Sequence, residues 1–326
     1  MTEYVGVVGA GRMGRGIALS FAFAGIPVLL VDLKNRSDSD RQLLIDASLD
    51  ELRNDLRFLA TAEIVAADKI EEILELVQFA SADSAPESLI KCTLIFEGVP
   101  EVMEAKRDAF KYIGQHCADN AIVASTTSTF LVTELASLII HPERFVNAHW
   151  LNPAHLMPLI EVSRGEFSST ETVEKIVATL ESIGKVPIVC SASPGYIVPR
   201  IQSLAMNEAA RMVEEGVASA EDIDKAVKYG FGLRFAVLGL LEFIDWGGGD
   251  ILHYGSEYLA KTIDPRFKAP KIVAENMANN RNGLRDGEGF YDFKDVDVNE
   301  YRQQRLRDFI AQLRHGDMLP VEGIAK

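Results

Sequence analysis

The stretch Val5-Gly6-Val7-Val8-Gly9-Ala10-Gly11-Arg12-Met13-Gly14 decides the fold of this 326-residue chain. Its β-branched residues predict a buried strand, and three glycines at the spacing Gly9-x-Gly11-x-x-Gly14 lead into a helix-like segment, 15–24. In such a unit the first glycine permits a tight turn, the second lets a pyrophosphate approach the backbone, and the third lets the helix lie close to the sheet. The stretch therefore indicates a dinucleotide site at a helix N-terminus. The alternative is a glycine turn in an ordinary strand–helix unit.

A second strand-like run, 28–31, ends at Asp32, about twenty positions after the glycines. A carboxylate at that position would accept a hydrogen bond from a ribose 2′-hydroxyl and would repel a 2′-phosphate. We therefore expect NAD rather than NADP as the cofactor. Arg12 and Met13 lie between the second and third glycines, so we place them in the same cofactor-binding turn.

Composition and charge restrict the class of protein. Hydrophobic residues make up 48% and charged residues 25% of the chain, as in globular proteins, and the length suffices for two domains. The formal net charge of −15 disfavours nucleic acid and anionic membrane surfaces as partners. Cys92, Cys117 and Cys190 lack the spacing of a metal or redox site, so we expect no metal. We predict neither a targeting segment nor a membrane span, and a cytoplasmic location fits.

Strand-like and helix-like segments alternate through the first 190 residues. The later predicted strands are 77–80, 93–96, 121–124, 145–149, 159–162 and 186–190. This alternation predicts an α/β fold with a doubly wound parallel sheet that helices cover on both faces. Residues 38–76 form a longer helical excursion than a strand–helix–strand crossover needs, and we expect it to protrude as a helical hairpin.

Beyond Ser193-Pro194-Gly195 the sequence is almost wholly helical. We therefore place a domain boundary near residue 191, with a dinucleotide-binding domain at 1–190 and an all-α domain at 191–326. The apolar helices of the second domain predict burial against another copy of the chain, so we expect a homodimer. Its residues 295–314 form a charged helical tail.

A histidine and a carboxylate stand at the ends of two neighbouring predicted strands, at His149 and Glu161. In alcohol oxidation an imidazole takes the hydroxyl proton while hydride leaves, and a carboxylate behind the ring orients it and stabilises imidazolium. Ser128, at the tip of another strand, could donate to a substrate oxygen, and Asn152 could fix the nicotinamide or the substrate. The alternative to a catalytic pair is a histidine that is buried in the core with its hydrogen bonds made, and a glutamate that is exposed to solvent.

Up to about residue 293 the chain resembles the L-3-hydroxyacyl-CoA dehydrogenase family. The resemblance rests on motifs in the family's order: 9–14 with Asp32, Phe96-Glu97-Gly98-Val99-Pro100-Glu101, Ala124-Ser125-Thr126-Thr127-Ser128, His149-Trp150-Leu151-Asn152-Pro153, Leu159-Ile160-Glu161-Val162, Ser193-Pro194-Gly195-Tyr196-Ile197-Val198, Glu221-Asp222-Ile223-Asp224 and Gly287-Glu288-Gly289-Phe290-Tyr291. It implies a Rossmann domain followed by a helical domain that dimerises.

The resemblance also implies roles for individual residues. His149 is then the general base, Glu161 orients it, and Ser128 contacts the substrate hydroxyl. Three residues line the nicotinamide half of the cofactor site: Glu101, Lys106 and Asn152. The implied activity is NAD-dependent oxidation of a 3-hydroxyacyl substrate such as 3-hydroxybutyryl-CoA to its 3-oxo product, with residues 38–76 over the CoA moiety.

Two positions depart from the family's thioester-using members. Pro199 stands where they have a substrate-contacting Asn, and proline offers neither a side-chain amide nor a backbone N–H. Arg234 lies in a segment that is neutral in those members but carries arginine in the branch resembling L-gulonate 3-dehydrogenase (lambda-crystallin) and carnitine dehydrogenase. A guanidinium binds a carboxylate bidentately, so a short free 3-hydroxy acid held by Arg234 is an alternative substrate. Arg234 could instead pair with Glu242 or Asp245. A third hypothesis for the function is a structural protein that binds NAD(H) without catalysis.

Overall fold

A computed structural model describes residues 4–319 of the chain. Eight strands form one sheet with the order β3-β2-β1-β4-β5-β6-β7-β8. The strands are β1 Tyr4–Val8, β2 Val28–Asp32, β3 Val77–Ser81, β4 Cys92–Glu97, β5 Ile122–Ser125, β6 Phe145–Trp150, β7 Leu159–Arg164 and β8 Val186–Ser191. This order reverses at β1 and β4, and ligands of doubly wound sheets bind beyond the carboxyl ends of the strands at such a reversal.

All neighbouring strands run parallel except β6 and β7, which are antiparallel. The segment that joins them, 151–158, contains no helix. A parallel connection needs a crossover of a dozen or more residues, so this short loop can only turn the chain back. The antiparallel pairing brings the start of β7 beside the end of β6.

Helices cover both faces of the sheet, as the sequence predicted. Alternate residues of β2 belong to two separate apolar clusters, with Leu30 in one and Leu29 and Val31 in the other. The helices of this part of the chain are α1 Arg12–Phe23, α2 Asp38–Thr61, α3 Ile70–Glu75, α4 Pro86–Leu89, α5 Met103–His116, α6 Val132–Ala136 and α7 Thr170–Ser182. The doubly wound fold class is thereby confirmed.

The helical excursion packs onto the sheet more closely than the sequence pattern indicates. In α2, Leu52, Leu56 and Leu59 are buried in the same cluster as the apolar side of α1. In α3, Ile70 and Leu74 join that cluster, whereas Leu43 near the start of α2 is exposed. Phe58 and Ile64 are exposed as well, so one side of the excursion packs on the core and the other faces away from it.

The remainder of the chain is helical, and the boundary between two compact units falls between Ala205 and Met206. Its helices are α8 Val198–Glu214, α9 Ala220–Ala226, α10 Leu233–Val237, α11 Leu240–Gly247, α12 Gly249–Thr262, α13 Lys271–Ala278 and α14 Val298–His315. A π-helical turn, Val227–Gly232, joins α9 to α10 and was not predicted. The charged tail is attached to the rest of the helical region, because Tyr301 and Arg305 of α14 donate hydrogen bonds to Glu242 of α11. No helix within residues 4–319 combines the length and apolar character that a membrane span requires.

Candidate active site

A cleft opens where β1, β2 and β4 end. Its lining includes four of the predicted cofactor residues from the glycine turn, together with Asp32 and the segment after β4: Gly9, Gly11, Arg12, Met13, Asp32, Gly98, Val99 and Pro100. The predicted cofactor residues of the glycine turn and Asp32 therefore meet in one cleft, at the reversal of strand order.

The glycine turn shows the features that a bound pyrophosphate needs. Gly9 has a φ of +121°, and a Cβ on Gly14 would collide with the carbonyl of Gly9, so these two glycines serve the turn and the close packing of α1. A Cβ on Gly11 would meet no protein atom within 4 Å, and Gly11 lines the cleft. No side chain caps α1 and its first turn contains no acidic residue, which leaves its N–H groups available for an anion.

Asp32 faces this cleft and is already paired. Its carboxylate accepts a hydrogen bond from Nε of Arg36 at 2.5 Å and from the backbone N–H of Lys34 at 3.3 Å. Both cations line the same cleft. The charge of Arg36 at this side of the cleft is thus matched by the carboxylate of Asp32.

A buried ion pair, which sequence reasoning missed, lies beneath the segment after β4. Glu97 is fully buried and accepts hydrogen bonds from Nζ of Lys106, the hydroxyl of Ser125 at 2.6 Å and the N–H of Val99 at 2.9 Å. The ammonium of Lys106 also lies 3.1 Å from Glu101. Lys106 is itself buried, so it contacts two carboxylates rather than the open cleft. Only the acidic end of β4 hinted at Glu97.

Glu101 organises the turn that follows β5. Its carboxylate accepts hydrogen bonds from the hydroxyl of Thr127 and from the N–H groups of Ser128 and Thr129, at 3.1 and 3.0 Å. Partial burial alone would raise the pKa of Glu101, but the hydrogen bond from Thr127 and the charge of Lys106 outweigh it and hold the pKa below its usual value. The structure thus joins Glu101, Lys106 and Ser128 in one network.

The structure also brings His149 and Glu161 together. The two residues are directly opposite each other in the β6–β7 register, and Nδ1 of the imidazole lies 2.8 Å from a carboxylate oxygen. Glu161 is fully buried and His149 almost so. With Nδ1–H donating to this carboxylate, the neutral ring has its lone pair on Nε2, which can accept a proton.

The second oxygen of Glu161 accepts two backbone hydrogen bonds, from Ile197 at 2.8 Å and Val198 at 2.9 Å. These N–H groups belong to the start of α8, where the helix presents unpaired donors and the positive end of its dipole. Pro199 occupies the first turn of the same helix, a position that tolerates proline because no N–H is required. The carboxylate is thus held on both sides and stays directed at His149.

Ser128 and Asn152 lie in the two loops beside His149. The hydroxyl of Ser128 makes no hydrogen bond to any residue of 4–319, while its backbone N–H is held by Glu101. Asn152, in the β6–β7 loop, lines a second pocket together with Arg12. That loop is fixed by the buried Lys185, which donates to the carbonyls of Ala154 at 2.7 Å and Met157 at 3.0 Å.

Arg234 pairs with neither of the acids considered for it. Glu242 accepts from Tyr301 and Arg305, and Asp245 is buried and accepts the N–H groups of Phe290 and Tyr291. Among residues 4–319 Arg234 makes no ion pair, and its guanidinium lies over Phe243 at 5.7 Å from the ring centroid. It lies two residues after the end of the π-helical turn, a feature frequent at functional sites. Within 4–319 no cluster of three His, Cys, Asp or Glu side chains could hold a metal ion.

Comparison with known families gives two matches. Residues 4–193 match the NAD-binding domain of 3-hydroxyacyl-CoA dehydrogenase, and residues 195–293 match the C-terminal domain of the same enzyme. The two matched regions meet near residue 194, and together they span most of the chain.

Three individual proteins illustrate the similarity. The 5-formyl-3-hydroxy-2-methylpyridine 4-carboxylate 5-dehydrogenase of Mesorhizobium japonicum is 30% identical, over 96% of this chain and 98% of its own. A probable 3-hydroxybutyryl-CoA dehydrogenase of Deinococcus radiodurans is 33% identical, over 88% of this chain and 99% of its own. The crystal structure of a 3-hydroxyacyl-CoA dehydrogenase from Archaeoglobus fulgidus superposes with a TM-score of 0.76 at 30% identity, covering 97% of this chain and all of that one.

Proposed function

Because the chain belongs to the 3-hydroxyacyl-CoA dehydrogenase family, we propose that it oxidises the C3 hydroxyl of an L-3-hydroxyacyl substrate with His149 as the general base. The observation that carries this proposal is the buried contact of 2.8 Å between Nδ1 of His149 and Glu161. A histidine that served only to fill the core would not need a fully buried carboxylate on one ring nitrogen, nor that this carboxylate be fixed from its other side by the N–H groups of Ile197 and Val198. Such an arrangement is typical of a general base with an orienting partner.

The chain's own residues account for the proton transfer. When bound, NAD supplies the acceptor for the hydride that leaves C3. Nε2 of His149 takes the proton of the C3 hydroxyl, so a carbonyl forms at C3, and Glu161 stabilises the resulting imidazolium. Ser128 donates its hydroxyl hydrogen to the C3 oxygen and keeps that oxygen in place during the transfer.

The same proposal assigns the cofactor residues. Gly9, Gly11, Arg12, Met13 and Gly14 hold the pyrophosphate against the start of α1, where the N–H groups are uncapped. Asp32 binds the adenosine ribose. Glu101 and Asn152 line the nicotinamide half, and the buried Lys106 acts on it through Glu101, its partner at 3.1 Å.

The acyl group distinguishes two substrate candidates. The family's usual substrate is a 3-hydroxyacyl-CoA such as 3-hydroxybutyryl-CoA, and this is the first candidate. The second is a short free 3-hydroxy acid whose carboxylate binds Arg234, which has no acidic partner among residues 4–319.

Two further observations favour the second candidate, the free acid. Residues 38–76 contain eleven Asp or Glu but four Lys or Arg residues, an unfavourable surface for the phosphates of CoA. The Mesorhizobium relative is named for a carboxylate substrate.

One set of assays tests these proposals. NADH formation is measured with L-3-hydroxybutyryl-CoA, L-3-hydroxybutyrate, L-carnitine and L-gulonate, using the wild type, His149→Ala and Arg234→Met. His149→Ala should lower kcat by about 10²–10⁴-fold and leave NADH binding intact. If it keeps full activity, His149 is not the base. If no probe turns over although NADH binds, the protein is a non-catalytic NAD(H) binder.

Arg234→Met decides between the substrates, with Arg302→Met, another exposed arginine without an ion pair among the described residues, as the matched control. Loss of a charge-assisted contact should raise KM for a free acid about 10- to 100-fold. A preference for the CoA thioester together with an unaffected Arg234→Met variant would exclude the free-acid candidate.

The homodimer and the cytoplasmic location belong to the same proposal. Among residues 206–319, large apolar side chains such as Tyr254 and Tyr258, one turn apart on α12, are two-thirds exposed, whereas few apolar side chains are buried. A second copy of the chain covering this face would remove that surface from water. Tyr254→Glu should therefore shift a dimer to monomer in sedimentation velocity.

The cytoplasmic location is supported by the three cysteines, which are all unpaired and therefore suit a reducing compartment.

A further inference from the structure

Tyr196 is the buried aromatic residue that touches most parts of the candidate site. Its ring stacks on the imidazole of His149, with centroids 4.9 Å apart and planes inclined by 8°. Its hydroxyl donates to the carbonyl of Thr127 at 2.7 Å and accepts from Nδ2 of Asn147 at 3.1 Å. Burial raises the pKa of this phenol, so it remains a donor at all working pH values.

The hydroxyl contacts connect β6 with the turn that carries Ser128. Asn147 lies on β6 two residues before His149, hence on the same face of the sheet. Its amide also donates to the carbonyl of Phe130 at 3.0 Å. Thr127 and Phe130 flank Ser128, so Tyr196 and Asn147 hold both sides of its turn against the strand of the base.

The backbone of Tyr196 reaches the third part of the site. Tyr196 has a φ of +46° directly after Gly195 at +74°, a left-handed conformation that is rare for a bulky side chain. This turn directs the next two N–H groups, of Ile197 and Val198, at the carboxylate of Glu161. Strained backbone persists where the surrounding structure determines it, and here those contacts do so.

From these contacts we infer that Tyr196 is a positioning residue that sets the imidazole of His149 relative to both Ser128 and Glu161. The inference rests on the proposed function, since it assigns Tyr196 to the reaction in which His149 takes the proton. The ring keeps the imidazole plane from tilting, and the hydroxyl keeps the serine turn at a constant distance from that plane. A displacement of about 1 Å at reacting groups costs about 100-fold in rate.

The test compares Tyr196→Phe and Tyr196→Leu with the same changes at Tyr112. Tyr112 is a matched control for two reasons. Its hydroxyl also donates to a backbone carbonyl, that of Ala82 at 2.6 Å, and its ring also contacts a histidine, with the ring centroids of Tyr112 and His116 4.6 Å apart. Rates are measured well below each variant's Tm with the best of the four probe substrates. We expect Tyr196→Leu to lower kcat about 100-fold, and Tyr196→Phe, which keeps the stack, about 3- to 10-fold. The affinity for NADH should stay within about twofold of the wild type, and the Tyr112 variants should keep kcat while their Tm falls.

Two outcomes overturn the inference: an unchanged kcat in Tyr196→Leu, or an equal loss in Tyr112→Leu. A second readout does not need turnover. In protein with ¹³C-labelled histidine, the ring-current shift of the His149 Hε1 proton should disappear in Tyr196→Leu and persist in Tyr196→Phe. If that resonance does not move, the stack is absent and the inference fails. The proposed function, by contrast, is contradicted if His149→Ala keeps full activity or if the wild type turns over none of the probes. In that case the His149 resonance is the one readout that tests the inference.

Discussion

Glu161 holds His149 with one carboxylate oxygen, 2.8 Å from Nδ1, and holds the start of α8 with the other, through two backbone N–H groups. Both oxygens therefore act only as acceptors. A side chain with a single acceptor oxygen cannot satisfy both sides, and this asymmetry leads to the first prediction.

Glu161→Gln should lower kcat by about 10³–10⁴-fold with little change in NADH affinity. If the amide oxygen keeps the two backbone N–H groups, the amide NH₂ faces Nδ1 and forces the imidazole proton onto Nε2, where the substrate proton must go. The corresponding change in serine proteases has an effect of about this size. Steady-state kinetics and NADH fluorescence titration measure the two quantities. Glu166→Gln, an exposed change five residues away, is the control, and equal rates for the two variants would contradict the proposed role of Glu161.

Lys106→Met should destabilise the protein by about 3–5 kcal/mol, because it leaves the carboxylate of Glu97 buried without its cation. Glu97 and Lys106 have 0% and 1% of their side-chain surface exposed. Urea unfolding measures the effect. The exposed Lys69–Glu72 pair, at 2.5 Å, provides the control, and Lys69→Met should not measurably change the free energy of unfolding. A loss below about 1 kcal/mol for Lys106→Met would mean that the pair is not buried in solution.

Asp32→Ala should reduce the preference for NADH over NADPH by about 10- to 100-fold. The substitution removes the acceptor for the ribose hydroxyl and frees Arg36, now bonded to Asp32 at 2.5 Å, to bind a 2′-phosphate. Fluorescence titration with both reduced cofactors gives the ratio. Asp83→Ala, just beyond the neighbouring strand β3, should leave it unchanged. An unaltered ratio in Asp32→Ala would show that Asp32 does not face the ribose.

Glu101 makes stability depend on pH in the acidic range. Because its pKa in the folded protein lies below the ordinary 4.5, its ionised form contributes stability above about pH 4.5. That contribution disappears as the pH falls through the lower, folded pKa. Glu101→Gln should therefore lower the Tm at pH 6 and converge with the wild type at acidic pH. Glu174→Gln, on the exposed side of α7, should run parallel to the wild type throughout. A constant Tm difference between Glu101→Gln and the wild type would refute the linkage.

Much of the fold follows from local patterns in the chain. Runs of β-branched residues bounded by turns predicted the strands, and each observed strand lies within two residues of its predicted bounds. The glycine turn and Asp32 could be placed in one cleft because parallel strands end at the same edge of a sheet. His149 could be selected because it stands at the end of a predicted strand that borders this edge. Glu161 reaches the same edge for a different reason, because β7 runs antiparallel to β6 and begins there. These inferences depend on side-chain period and turn chemistry, which neighbouring residues determine.

The tertiary structure alone decided which distant groups meet. The contact between His149 and Glu161 depends on the register of an antiparallel pair, and a shift of one residue would direct one side chain to the opposite face. Lys106 in an amphipathic helix is expected at the surface, yet it is buried because Glu97, nine positions earlier, ends the adjacent strand. Tyr196, 47 positions after His149, stacks on its ring from a left-handed turn that no pattern in the sequence predicts. Periodicity in the sequence identifies the buried face of each element, but hydrogen bonds and stacking between elements depend on their register and separation, which arise only when the elements pack.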